Sequence, residues 1–303
     1  MTALHVVYRS YGGENTKGRP AYYSKSLALA SLIRAVEAAD RPTEMVFVND
    51  GPIPSDRLQA MKRTGEVITL PDVGAKRSFL AALAMPARRG WPARDVVWFA
   101  EDDYLYLPTA FCQLGRAADA APAGDYFGLY ALIDGVPPEG GRAPAWLTAP
   151  RSQRTAAPMM VDGQCWRVAL ATTSTFGARV ESVRVDRLAF ALSMVTATAW
   201  DYTACLTYQG YQPFRWQRLA AEPRTVERTL KRRLRTNAAV PGRIAVNLLA
   251  LRQRRRNRLI WAADPALCTH LESAHLARGT DWATLSDQTA AWAKRHLIGL
   301  EFG

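Results

Sequence analysis

The chain is poor in the residues that build metal clusters and redox centres. It has 303 residues but only four cysteines and four histidines. Cys112, Cys165, Cys205 and Cys268 are far apart and none forms a C-x-x-C pair, which excludes zinc knuckles and thioredoxin-like dithiols as readings. His5, His270, His275 and His296 leave few candidates for a histidine-rich metal site or a proton shuttle, so carboxylates must carry most acid, base or metal work. No apolar run approaches the roughly 20 residues of a membrane span. The N-terminus enters the strand-like Ala3–Tyr8 directly, without the basic flank, apolar core and cleavage site of a secretory signal. The expectation is a cytoplasmic protein without a transmembrane segment, at most peripheral at a membrane. With 49% hydrophobic and 22% charged residues the chain is not disordered, and 20 Gly with 18 Pro exclude a collagen-like or low-complexity composition. Its length suits one large domain or two smaller ones.

Charge is unevenly placed. The net charge is +12, and between Arg224 and Arg258 twelve Lys or Arg residues face one acid, Glu227, so these 35 residues carry +11. Two basic blocks flank the apolar Ile244–Leu251, which is too short to cross a bilayer. Such a segment suits an anionic membrane surface, a polyanion such as nucleic acid, or a solvated arginine-rich connector.

The hydrophobic pattern alternates between strand and helix. Leu4–Arg9 reads as a buried strand followed by a Gly-containing loop. From about Ser24, Leu29, Leu32, Ile33 and Val36 form one helical stripe. Glu44–Asp50 and Glu66–Leu70 read as strands, Lys76–Ala84 as a helix, and Asp95–Ala100 as a strand running into Glu101. A further strand begins at Asp125, and residues from Gly135 to Pro158, rich in Pro and Gly, read as a long loop of the kind that is either functional or disordered. Trp166–Ala178, a helix near Glu181–Val195 and the Trp200–Tyr211 segment complete the main domain. The expected fold is α/β, a Rossmann-type mixed sheet with helices on both faces. The expected division is a catalytic domain over 1–220 and a basic helical extension over 221–303. In such sheets ligands bind beyond the carboxyl ends of the strands.

The strongest chemical feature lies at one of those ends. The apolar strand Val96–Ala100 stops abruptly in Glu101, Asp102 and Asp103. Three adjacent carboxylates repel one another and call for counter-charge. Oxygen-rich sites suit Mg²⁺ or Mn²⁺, which bind one or two protein carboxylates and complete their shell with water and substrate phosphate. Arg9, Lys17, Arg19 and Lys25 surround the Gly12–Gly13 turn after the first strand, where cations and backbone amides suit phosphate.

These motifs resemble those of GT-A-type glycosyltransferases, in particular inverting members with an E-D-D, apolar, Pro, Phe pattern, here Glu101 to Phe111. The resemblance spans roughly residues 3–215 and implies a nucleoside-diphosphate-sugar donor, a hydroxyl acceptor, and Mn²⁺ or Mg²⁺ as cofactor. It makes Asp103 the metal ligand and turns Glu101 and Asp102 toward sugar and ribose. Asn49 and Asp50 would meet base or ribose, and Arg77 base or diphosphate. Ser78 stands where the family pattern has Asn. The Trp200–Asp201 pair is similar to the segment that supplies the catalytic base, nominating Asp201, although an Asp at a helix start is also a common N-cap. His270, in the C-terminal tail, would complete the metal shell.

Two other readings compete. A retaining glycosyltransferase would keep the metal site without needing Asp201 as base. A nucleic-acid- or membrane-binding module would use the 224–258 segment and treat the α/β domain as scaffold. A sugar-1-phosphate nucleotidyltransferase fits less well, because the loop after the first strand is not the Gly-rich, Arg- or Lys-ending type. The Gly135–Pro158 loop is the candidate acceptor lid.

Overall fold

In the computed structural model, residues 2–14, 17–122, 124–133, 156–219 and 238–302 are described. The Gly135–Pro158 loop lies outside them up to residue 155, as does the basic segment up to residue 237.

The first half of the chain builds a parallel α/β unit. Strands β1 (Leu4–Tyr11), β2 (Thr43–Asp50), β3 (Glu66–Leu70) and β4 (Val96–Glu101) alternate with helices α1 (Lys25–Glu37), α2 (Ser55–Thr64) and α3 (Ala75–Arg88). Ser24 caps α1, its side chain accepting from Leu27 N, so the helix starts where the sequence signal places it. β1 pairs in parallel with both β2 and β4, and β2 with β3, giving the order β3-β2-β1-β4. The direction of winding therefore reverses at β1, and the crevice beyond β1 and β4 is the expected ligand position.

Both faces of the sheet are covered, which explains the nearly unbroken apolar runs in its strands. Alternate residues serve different cores. Val6 and Tyr8 of β1 and Trp98 of β4 pack with Leu29 and Ile33 of α1. Val7, Val97 and Phe99 pack on the opposite side with Phe79 of α3.

Beyond β4 the sheet becomes mixed. After β5 (Tyr104–Tyr106) and α4 (Ala110–Ala120) come β6 (Tyr126–Gly128), β7 (Ala131–Ile133), β8 (Met159–Val161), β9 (Gln164–Thr172) and β10 (Phe176–Arg179). Two helices follow, α5 (Val180–Thr196) and α6 (Trp200–Tyr208), then α7 (Val240–Gln253), β11 (Ile260–Asp264), β12 (Cys268–His270) and α8 (Trp282–His296). The full order is β3-β2-β1-β4-β10-β6-β11-β9-β7, with β8 on β9 and a separate β12-β5 pair.

This topology corrects the expected division at 220/221. β11 inserts between β6 and β9, inside the main sheet, and α8 packs against α1. The C-terminal residues are thus neither only helical nor an appendage. The basic segment needs a matching correction at its end: Arg258 is buried and its guanidinium pairs with the fully buried Asp186 of α5 at 2.8 Å. Tyr126 and Gln253 also donate to Asp186, at 2.9 and 2.8 Å. Arg258 is therefore a core ion-pair residue rather than part of a solvated basic run.

Candidate functional site

The carboxyl edge of β1 and β4 forms the floor of a cavity of about 500 Å³, whose lining includes Arg9, Asp50, Ser78, Glu101, Asp102, Asp103, Asp201 and His270. Register accounts for the first ion pair. Arg9 and Glu101 face each other across the β1–β4 ladder, and the Arg9 guanidinium donates to the Glu101 carboxylate. Burial pushes the Glu101 carboxyl up; Arg9 opposes this, while Asp103 and Asp201 reinforce it.

The three acids at the end of β4 are separated by their partners. Asp102 turns inward, accepting from Ser10 Oγ at 2.8 Å and Tyr11 N at 3.1 Å, with the Lys25 ammonium at 2.9 Å. Lys25 itself is buried and also donates to the carbonyls of Tyr11 and Gly13. Of the four cations expected around phosphate, Lys25 therefore clamps the acidic motif and the loop after β1.

Asp103 lies where three other groups converge. His270 Nε2 is 3.0 Å from its Oδ2, Arg19 donates to the same oxygen at 3.2 Å, and the Lys17 ammonium stands at 3.9 Å. Burial alone would raise the Asp103 carboxyl, but the His270 hydrogen bond and the neighbouring positive charges outweigh it and hold Asp103 well below the usual carboxylate range. The backbone explains how His270, so distant in sequence, arrives here. β12 runs antiparallel to β5 with His270 opposite Tyr104, and Leu271 N donates to Asp103 O at 2.8 Å. The His270 ring also stacks on Tyr104, with centroids 5.0 Å apart.

Asp201 reaches the cavity from the start of α6. The N-cap of that helix is Ala199, so Asp201 is not the cap; it stands in the first turn, accepting from its neighbour Tyr202 N at 2.8 Å. Burial raises its carboxyl above the ordinary range, and two backbone N–H groups pull in the opposite direction. Asp201 also borders an adjoining cavity of about 280 Å³, lined by Tyr130, Tyr202, Glu272 and His275 among others. It therefore stands at the junction of two spaces.

Asp50 lines the main cavity while its two oxygens accept from Val73 N and Gly74 N, at 2.7 and 2.8 Å. Gly74, with φ of +84°, takes a backbone conformation that side chains disfavour and so lets this loop close over Asp50. Two expected contacts fall elsewhere. Asn49 is buried beneath the sheet, its amide against Met61 Sδ, and is not among the residues lining the cavity. Arg77 is exposed on α3, whereas its neighbour Ser78 lines the cavity, 3.4 Å from Arg9.

Sequence reading missed the Thr/Ser run between β9 and β10. Thr173 and Ser174 line the cavity, Thr173 shares a 2.7 Å hydrogen bond with the Tyr104 hydroxyl, and Thr175 accepts from Glu101 N. The available signal was a cluster of hydroxyl residues interrupting an otherwise apolar strand.

No family model and no curated protein matches the chain. Among solved structures it is similar to S. aureus TarS 1–349, at 14% identity and a TM-score of 0.38, over 68% of this chain and 54% of that one. The complex of TarS 1–349 with UDP-GlcNAc gives 14% identity and the same TM-score of 0.38, over 68% of this chain and 52% of that one. This chain thus spans about half the length of those structures. A CMP:2-keto-3-deoxy-manno-octonic acid synthetase with CTP is similar over 97% of this chain and 100% of that one, at 13% identity and a TM-score of 0.42. At such TM-scores the likeness assigns nothing to this chain, and the chemistry rests on its own residues.

Proposed function

We propose that the chain is a glycosyltransferase that moves a sugar from a nucleoside-diphosphate donor to a hydroxyl acceptor, with inversion. The observation that carries this reading is that Asp201, about a hundred residues from the acidic motif in sequence, opens onto the same cavity as Glu101, Asp102, Asp103, Arg9 and Lys17. The cavity falls in the roughly 300–1,000 Å³ range of small-ligand sites.

The residues divide by charge. Lys17 and Arg19, beside Asp103, would hold the diphosphate and neutralise it as it departs. Asp50, at the edge of the cavity, would meet the base or ribose. Asp201 would take the proton of the acceptor hydroxyl. The acceptor oxygen then forms a bond to the anomeric carbon while the bond from that carbon to the diphosphate oxygen breaks, the electron pair leaving with the nucleoside diphosphate. A raised Asp201 carboxyl suits this role, since a stronger base accepts the proton more readily.

A divalent cation fits this donor set in a limited way. Asp103 Oδ2 and His270 Nε2 both border the cavity and lie 3.0 Å apart, the spacing of two neighbouring ligands on a hard octahedral cation. Among the described residues no group of three or more His, Cys, Asp or Glu gathers as a metal cluster. Asp103 and His270 would therefore hold Mn²⁺ or Mg²⁺ together with substrate phosphate and water. The ion would add Lewis-acid stabilisation of the leaving diphosphate.

Calorimetric titration of UDP, GDP, CDP and ADP, with and without Mn²⁺, tests the donor half of the proposal. One nucleotide is expected to bind, more tightly with Mn²⁺, with the metal-dependent gain lost in Asp103→Asn and His270→Ala. Failure of all four to bind would remove the nucleotide-sugar reading. Tight binding indifferent to Mn²⁺ and to both variants would leave the diphosphate to Lys17 and Arg19 alone.

A further inference from the structure

α5 and α7 form an antiparallel pair on the surface of the sheet. A side chain at Gly242, near the start of α7, would meet Thr196 at the end of α5, while Gln253 at the other end of α7 donates to Asp186 at 2.8 Å. The pair buries one side of each helix. On α5, Val183, Phe190 and Met194 pack into the sheet-facing core. The outer sides are unusual for a surface helix. Val185, Leu188 and Val195 follow one helical stripe and are 40%, 57% and 76% exposed, and Leu248 and Leu251 on α7 are 54% and 39% exposed.

Arginines border this apolar face. Arg184 and Arg187 on α5, Arg252 on α7 and Arg254–Arg256 in the turn after it are all exposed; of these, Arg184 also donates to the carbonyls of Pro86 and Trp91, Arg254 to that of Gly210 and Arg256 to Asp186, and Glu181 is the only exposed acid of the two helices. A polyanion such as nucleic acid would use the arginines but has no need of exposed aliphatic side chains. An anionic bilayer surface uses both, taking aliphatic side chains below the headgroups and guanidinium groups among them. Among the described residues no helix is long and apolar enough to cross a membrane, so the face suits a surface-bound state rather than a spanning one.

We propose that the outer face of the α5–α7 pair docks on an anionic lipid bilayer. The arrangement also has a geometric consequence for the site. α5 ends at Thr196 and α6 begins at Trp200, so the docked helix leads directly into the segment that carries Asp201.

The test is vesicle co-sedimentation of the full chain, wild type and the Leu188→Ser/Leu248→Ser double variant, both positions being exposed and thus replaceable without disturbing the core. Vesicles of equimolar phosphatidylglycerol and phosphatidylcholine are compared with pure phosphatidylcholine, and retention on heparin and on duplex DNA is measured in parallel. The wild type is expected to bind the anionic vesicles selectively. The double variant should bind them about tenfold or more weakly, having lost two leucine side chains that the bilayer would bury, while keeping its thermal midpoint and heparin retention. Equal binding of both proteins to the anionic vesicles, or retention on DNA without vesicle binding, would overturn the proposal. The second result would instead identify a nucleic-acid face.

Discussion

Asp201→Asn is expected to lower kcat by about 10²–10⁴-fold, the usual contribution of a positioned general base. Donor affinity should change little, because the donor diphosphate is assigned to Lys17 and Arg19 rather than to Asp201. Asparagine keeps the shape and can still accept from Tyr202 N, the hydrogen bond that Asp201 makes at 2.8 Å, so local structure should survive. The same residue predicts a pH dependence. A base works as the carboxylate, and burial raises the Asp201 carboxyl, so activity should fall as pH drops through that raised value. The acidic limb of the kcat/KM profile should consequently lie above the range of an ordinary aspartate, about 3.9. Steady-state kinetics of the variant and a pH profile of the wild type check both statements. A variant with full kcat would assign the chemistry to a retaining mechanism that needs no such base.

The second large effect is on stability. Asp186→Ala should destabilise the protein by about 3–5 kcal/mol, because it leaves the Arg258 guanidinium in the core without the carboxylate it is paired with. Asp186 is fully buried and also accepts from Tyr126 and Gln253, so the ion pair joins α5, β6 and α7 to the stretch that leads into β11. The double variant Asp186→Ala/Arg258→Met should recover much of the loss, since neither buried charge then remains. Denaturant unfolding of the two single variants and the double variant measures the coupling directly. Additive losses would show that the pair does not act as a unit.

The parts of this arrangement that were legible in the sequence are those with a local signal. An apolar strand stopped by three acids marks Glu101–Asp103, because a parallel strand buried on both faces is apolar until it leaves the sheet. The Ser24 cap and the α1 stripe were readable for similar local reasons. Errors began where alternation decides between neighbours. In β2, Met45 and Phe47 serve the same core, and Asn49, two residues further on, continues toward Met61, which leaves Asp50 for the cavity. In α3, Ser78 and Phe79 turn inward while Arg77 stays in solvent. Placing the C-terminal part of the chain was harder still. Ile260–Asp264 carries no local mark of its neighbours, and only pairing with residues more than ninety positions away makes it a central strand. The same long-range pairing, β12 on β5, brings His270 to Asp103. The role of Arg258 was hidden because a buried arginine within a basic run looks like its exposed neighbours until its partner is known.

The central claim is that this cavity transfers a sugar. The most direct measurement is turnover of a panel of nucleoside-diphosphate sugars with Mn²⁺, for the wild type, Asp103→Asn and Asp201→Asn, following nucleoside diphosphate release and the anomeric configuration of the product by NMR. Turnover of one donor with inverted configuration, lost in both variants, is the predicted result. Release of no nucleoside diphosphate from any donor, by a wild type that folds and binds its nucleotide, would contradict it.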